Sequence, residues 1–127
     1  MWNKQSSFTL IEVLIAVFLI TVAIGGTFIL MQRVVEYSAV SFSRLQAVYL
    51  AQEGIEQVRN QRDSNWLAGN PWNQGIGNRT DTLGKFTRIL TIETPTLDKM
   101  VVSVSVDWSE RGRSHSVTAQ TELYNWK

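Results

Sequence analysis

Few residues in this chain have the type and spacing to do chemistry, and the most conspicuous is a single carboxylate. Glu12 stands at the mouth of an apolar run, in the stretch Phe8-Thr9-Leu10-Ile11-Glu12-Val13. From Val13 to Met31 about 19 residues carry no charge, close to the roughly 20 that a helix needs to cross a hydrocarbon core. An ionisable group in such a span is expensive and calls for a partner. Lys4 lies before the span and Arg33 at its far end, so neither reaches Glu12 along one helix. A positive group on another copy, at the same depth, would serve. A chain cut before Phe8 would carry one, its new α-amino group.

Other constellations are sparse. His115 is the one histidine and has no carboxylate partner by spacing. There is no cysteine, hence no disulfide and no thiolate metal site. No glycine-rich phosphate loop or metal-binding helix motif is present, and no cofactor is expected. Asp63, Asn65, Asn70 and Asp81 offer oxygens but lack the alternation of a calcium loop. Arg79, Lys85, Arg88, Arg111 and Arg113 could line a basic patch. The net charge of the 127-residue chain is only +1, from 12 basic and 11 acidic residues, which gives nucleic acid little to hold.

These residues must be positioned by very few elements. Residues 1–7 are mostly polar and too few for a domain. The apolar run does not end like a secretory signal, since Ile29-Leu30-Met31-Gln32-Arg33 offers no small-residue cleavage site. Lys4 and the chain's amine favour a cytoplasmic N-terminus, and Arg33 beyond the span works against that bias. Gly25 and Gly26 interrupt the run, as ordinary small residues or as a point of close packing or local break. No proline falls between Phe8 and Arg62, so one helix of about 55 residues, roughly 80 Å long, is expected. Phe42, Leu45, Val48, Tyr49, Ile55 and Val58, with Gln52 among them, recur at helical spacing and predict one apolar face on its second half.

Residues 63–85 are crowded with Gly, Asn and Pro and read as a loop. Trp66 and Trp72 would tie that loop down by packing, the favoured reading, or form a binding surface for sugars, DNA or protein partners. Three strands are predicted after it, Phe86 to Glu93, Met100 to Trp108 and Ser114 to Leu123, the last two joined through Glu110-Arg111-Gly112-Arg113. The expected architecture is α+β. The helix spans a membrane with its first half and covers a three-stranded antiparallel sheet with its amphipathic second half. The domain plan is 1–7 as a leader, 8–31 as the span and 32–127 as a head, with helix 32–62, loop 63–85 and sheet 86–127.

Ser7-Phe8-Thr9-Leu10-Ile11-Glu12-Val13-Leu14 resembles the processing site of type IV prepilins and type II secretion pseudopilins. Ala51-Gln52-Glu53-Gly54-Ile55-Glu56 and Arg62-Asp63-Ser64-Asn65-Trp66 resemble minor pilins of the type IV pilus modification group. The resemblance implies a pilin fold and a prepilin peptidase that cuts between Ser7 and Phe8, followed by N-methylation of Phe8. It implies that Glu12 pairs with that amine on a neighbouring subunit, and that the helix can loosen at Gly25 and Gly26. Ser7 departs from the family, which usually has glycine there. The implied partners are other pilin subunits, the peptidase, an inner-membrane assembly platform and membrane lipid. The implied life cycle begins as a single-pass inner-membrane protein with an extracytoplasmic head and ends in a surface filament, with no enzymatic activity. A minor pilin is the first expectation. A secretion pseudopilin and a filament-borne binding module are the alternatives.

Overall fold

The computed structural model describes residues 8–125, so the predicted leader 1–7, with Ser7, lies outside the described residues. The chain divides into two compact units, Met1–Ala39 and Val40–Lys127. Helix α1 runs Leu10–Leu67, 58 residues, and contributes to both. Four strands follow: β1 (Arg79–Leu83), β2 (Phe86–Thr96), β3 (Lys99–Glu110) and β4 (Arg113–Tyr124).

In the first unit the apolar side chains of α1 have no protein cover. Phe18, Ile24, Phe28 and Leu30 are each more than half exposed, and the apolar window of the helix has none of its residues buried. The helix is long and apolar enough to cross a membrane. Its two threonines return their hydroxyls to the backbone, Thr21 Oγ1 to Val17 O at 2.8 Å and Thr27 Oγ1 to Ala23 O at 2.6 Å. Such bonds satisfy polar groups that a lipid surround could not.

The second unit is a helix on an antiparallel sheet of order β1-β2-β3-β4. Alternation along β3 buries Met100, Val102, Val104, Val106 and Trp108. In register with them on β4 stand Leu123, Thr121, Ala119, Val117 and His115. β2 adds Phe86, Arg88 and Leu90 to the same face. Two-residue connections join the strands. Gly84 (φ 62) turns β1 into β2, and Arg111 (φ 52) with Gly112 (φ 75) turns β3 into β4, as tight hairpins require.

Two expectations need correction. The sheet has four strands, not three, because β1 lies inside the segment predicted as loop 63–85. Arg-Thr-Asp-Thr-Leu has no apolar alternation to announce a strand; its pairing comes from the backbone ladder to β2. The face of α1 against the sheet agrees with expectation at Ile55 and Val58 and differs at its start. The residues buried on it are Ser43, Ala47, Ala51, Gly54, Val58, Arg62 and Asn65, whereas Phe42, Leu45 and Tyr49 are more than half exposed. The sheet supplies the bulk, so the helix meets it with small side chains.

Gly54 is the closest approach. A Cβ there would sit 3.1 Å from Val104 Cγ1 and 3.2 Å from Arg88 Cδ. Gly54→Leu should therefore overpack the interface and destabilise the head by about 1–3 kcal/mol. Gly54→Ala needs only a slight shift and gains up to about 1 kcal/mol of helix propensity, so its net change should be small. The chemical denaturation midpoints of the two variants check this contrast.

Candidate functional site

The local sequence explains how Glu12 is held. Phe8 and Thr9 precede the helix, and Thr9 is its N-cap: its carbonyl accepts from Glu12 N at 3.0 Å and Val13 N at 3.3 Å. Glu12, three residues on, reaches back. Its Oε2 accepts from Thr9 N at 2.9 Å and from Thr9 Oγ1 at 2.9 Å. This is half of a capping box, with a carboxylate at the positive end of the helix dipole. The Thr-x-x-Glu spacing announces it, and a search limited to cations as partners misses it. Glu12 Oε1 accepts no bond among the described residues, so one carboxylate oxygen is committed within the chain and one is open to a partner. Phe8 is 84% exposed beside it.

Gly25 and Gly26 lie within α1, which continues through them. A Cβ at either would meet nothing within 4 Å. Close packing inside this chain therefore does not require either glycine. The bond from Thr27 Oγ1 to Ala23 O brackets the pair, and hydroxyl back-bonds of this kind bend helices.

In the head, the charged residues are mostly engaged with one another. Arg88 is 3% exposed between helix and sheet. Its guanidinium donates to Asp81 Oδ2 at 2.9 Å and to Leu50 O at 3.2 Å, and lies 3.6 Å from Glu53 Oε2. Arg79 bonds Asp81 and Gln57 on the same side. The Arg88 guanidinium holds the Asp81 carboxyl below the usual range despite some desolvation. Near the Ser43 end of the head, Lys85 Nζ donates to Ser43 Oγ at 2.7 Å and lies 3.4 Å from Glu110 Oε1. The Ser43 hydroxyl, and then Lys85, depress the Glu110 carboxyl. Arg79, Lys85 and Arg88 are thus committed to carboxylates, and Arg111 and Arg113 flank the β3–β4 turn.

The oxygen-bearing residues weighed for calcium are dispersed in the same way. Asp81 serves Arg88, Asp63 serves Arg62 at 2.8 Å, and Asn65 is a buried donor. Among the described residues no acidic or histidine cluster could hold a metal ion. His115 stacks on Trp108, with ring centroids 5.3 Å apart and planes 20° from parallel.

The two loop tryptophans fare differently. Helix α1 ends in a left-handed glycine, Gly69 (φ 72), and Asn70 N bonds back to Asn65 O at 2.9 Å. Asn65 Nδ2 then pins the loop, donating to Gln74 O at 2.8 Å and Trp72 O at 3.2 Å. Trp72 is 7% exposed and belongs to the core. Trp66 is half-buried, its indole N–H directed to Asn125 Oδ1 at 3.4 Å. Both border one pocket of about 680 Å³, together with Asp63, Leu67, Pro71 and Asn125.

A helix with an uncovered apolar half, a capped glutamate at its mouth and a sheet packed on its other half fit a membrane-anchored protein of pilus type. Residues 2–28 match a family model described as the prokaryotic N-terminal methylation motif, which takes in Phe8, Glu12, Gly25 and Gly26. The match lies in the N-terminal part of the chain alone, and that motif supports a protein of the type IV pilin or pseudopilin kind. No curated protein and no solved structure matches it.

Proposed function

We propose that the chain is a structural, non-enzymatic subunit of a type IV pilus or pilus-like filament, in the minor-pilin role. It is held in the inner membrane by its apolar helix, with its head on the extracytoplasmic side. A prepilin peptidase cuts between Ser7 and Phe8, Phe8 is N-methylated, and an assembly platform draws the subunit into the filament. The observation that carries this reading is the pairing of an uncovered apolar helix with Glu12 at its mouth, one carboxylate oxygen bound by Thr9 and the other without a bond among the described residues. The new Phe8 amine of a neighbour supplies a charge of the right sign at the right depth. Phe42, Leu45 and Tyr49, exposed on the head's part of α1, add an apolar stripe that neighbouring subunits can cover.

The experiment is fractionation of cells that express a tagged chain. The mature form should appear in the sheared filament fraction as well as in the membrane. Confinement of the cleaved form to the membrane, in cells whose filaments are otherwise intact, contradicts the proposal.

A further inference from the structure

The pocket at the Leu67 end of the head has a chemistry of its own, independent of filament assembly. Its walls mix the aromatic Trp66 and Trp72 and the apolar Leu67 and Pro71 with the polar side chains of Asp63, Asn70 and Asn125. Its volume of about 680 Å³ falls within the usual range for small-ligand sites. The walls are held in place before any ligand arrives. Trp66 is oriented by its bond to Asn125, and Asn125 by Asp98, whose Oδ1 accepts from Asn125 Nδ2 at 3.1 Å. Asp63 is fixed from behind by Arg62, whose side chain is 7% exposed, while the Asp63 side chain keeps 48% exposure. Leu67, at 92% exposure, is an apolar side chain that water covers at a cost.

Each ligand class can be set against these walls. Among the described residues no cationic side chain lines the pocket, and the Asp63 carboxylate on its wall disfavours phosphates and uronates. A purely aliphatic ligand would strip water from a carboxylate and two carboxamides without replacing their hydrogen bonds. A ring with an apolar C–H face and a rim of hydroxyls meets both demands: the face lies on the indole and the hydroxyls donate to the carboxylate and amide oxygens. We infer that this pocket is a binding site for a neutral pyranose, with Trp66 as its stacking platform and Asp63 as its principal acceptor.

Saturation-transfer NMR on the full chain in nanodiscs free of glycosidic detergent tests this. The probes are the methyl pyranosides of glucose, galactose, mannose and N-acetylglucosamine, with methyl glucuronide as the anionic control. At least one neutral sugar should receive saturation, strongest on the C–H protons of one ring face, and the glucuronide should receive none. Trp66→Ala should abolish the signal. Asp63→Asn keeps a side-chain oxygen that can accept from Arg62, so the fold should hold, and it should weaken binding at least about tenfold, as loss of a charged acceptor does. Silence from all four neutral sugars, an equal response from the glucuronide, or a signal unchanged in either variant overturns the assignment. If Trp66→Ala unfolds the head, Asp63→Asn and the glucuronide control still decide it.

Discussion

Glu12→Leu should leave the chain inserted and cleaved but reduce its incorporation into filaments by at least about tenfold, the scale on which a lost charge-assisted contact acts. Leucine is more at home in a bilayer than glutamate, so membrane insertion should not suffer. The helix start keeps its main cap because Thr9 O still accepts from the backbone N–H groups of residues 12 and 13. What is lost is the carboxylate and, with it, the acceptor proposed for a neighbour's Phe8 amine. The comparison is the ratio of sheared to membrane-bound mature chain in variant and wild type. Equal ratios would remove Glu12 from assembly and leave it a role as a cap alone.

Arg88→Ala should have the largest effect on stability. The guanidinium is 3% exposed and answers Asp81, Glu53 and the Leu50 carbonyl together. Its removal leaves a cavity beside Gly54 and strips Asp81 of its closest partner. Breaking a buried pair from one side costs about 3–5 kcal/mol. Thermal unfolding of the head, followed by circular dichroism in nanodiscs, should show the loss. Arg88→Met combined with Asp81→Leu should recover much of it, because a matched apolar pair leaves no uncompensated charge. A double variant as unstable as Arg88→Ala would show that the ion pair is needed for more than mutual neutralisation.

The two predictions also mark which parts of the molecule could be read from the chain. The helix and strands β3 and β4 were legible because each follows one strong pattern, β2 through its richness in Thr, Ile and Phe, and the N-terminal motif through its resemblance to the prepilin processing site. Val102, Val104 and Val106 alternate with Ser103 and Ser105, and the residues from Val13 to Met31 are apolar on every side. β1 was not legible, because Arg79–Leu83 becomes a strand through its backbone ladder to β2 and through Arg79 and Asp81 gathering at Arg88. The docking face of α1 was misread for a related reason. Hydrophobic periodicity weights Phe42, Leu45 and Tyr49, whereas the sheet selects Ala47, Ala51 and Gly54 for their lack of bulk. At Glu12 the charge is conspicuous in the sequence and calls for a cation, whereas within the chain its partner is the neutral Thr9, a contact that hydrophobicity and charge do not announce. Packing is the favoured reading of the loop tryptophans and binding the alternative, and the fold divides them. Trp72 enters the core, and Trp66 keeps part of its ring at a pocket.

The central claim is that this chain is a prepilin-type precursor whose finished N-terminus lies at Phe8. Mass spectrometry of the chain recovered from membranes tests it most directly. The account predicts a protein lacking residues 1–7 and beginning at an N-methylated phenylalanine. A chain that still begins at Met1, with an unmodified amine, in cells that process their other prepilins would contradict it.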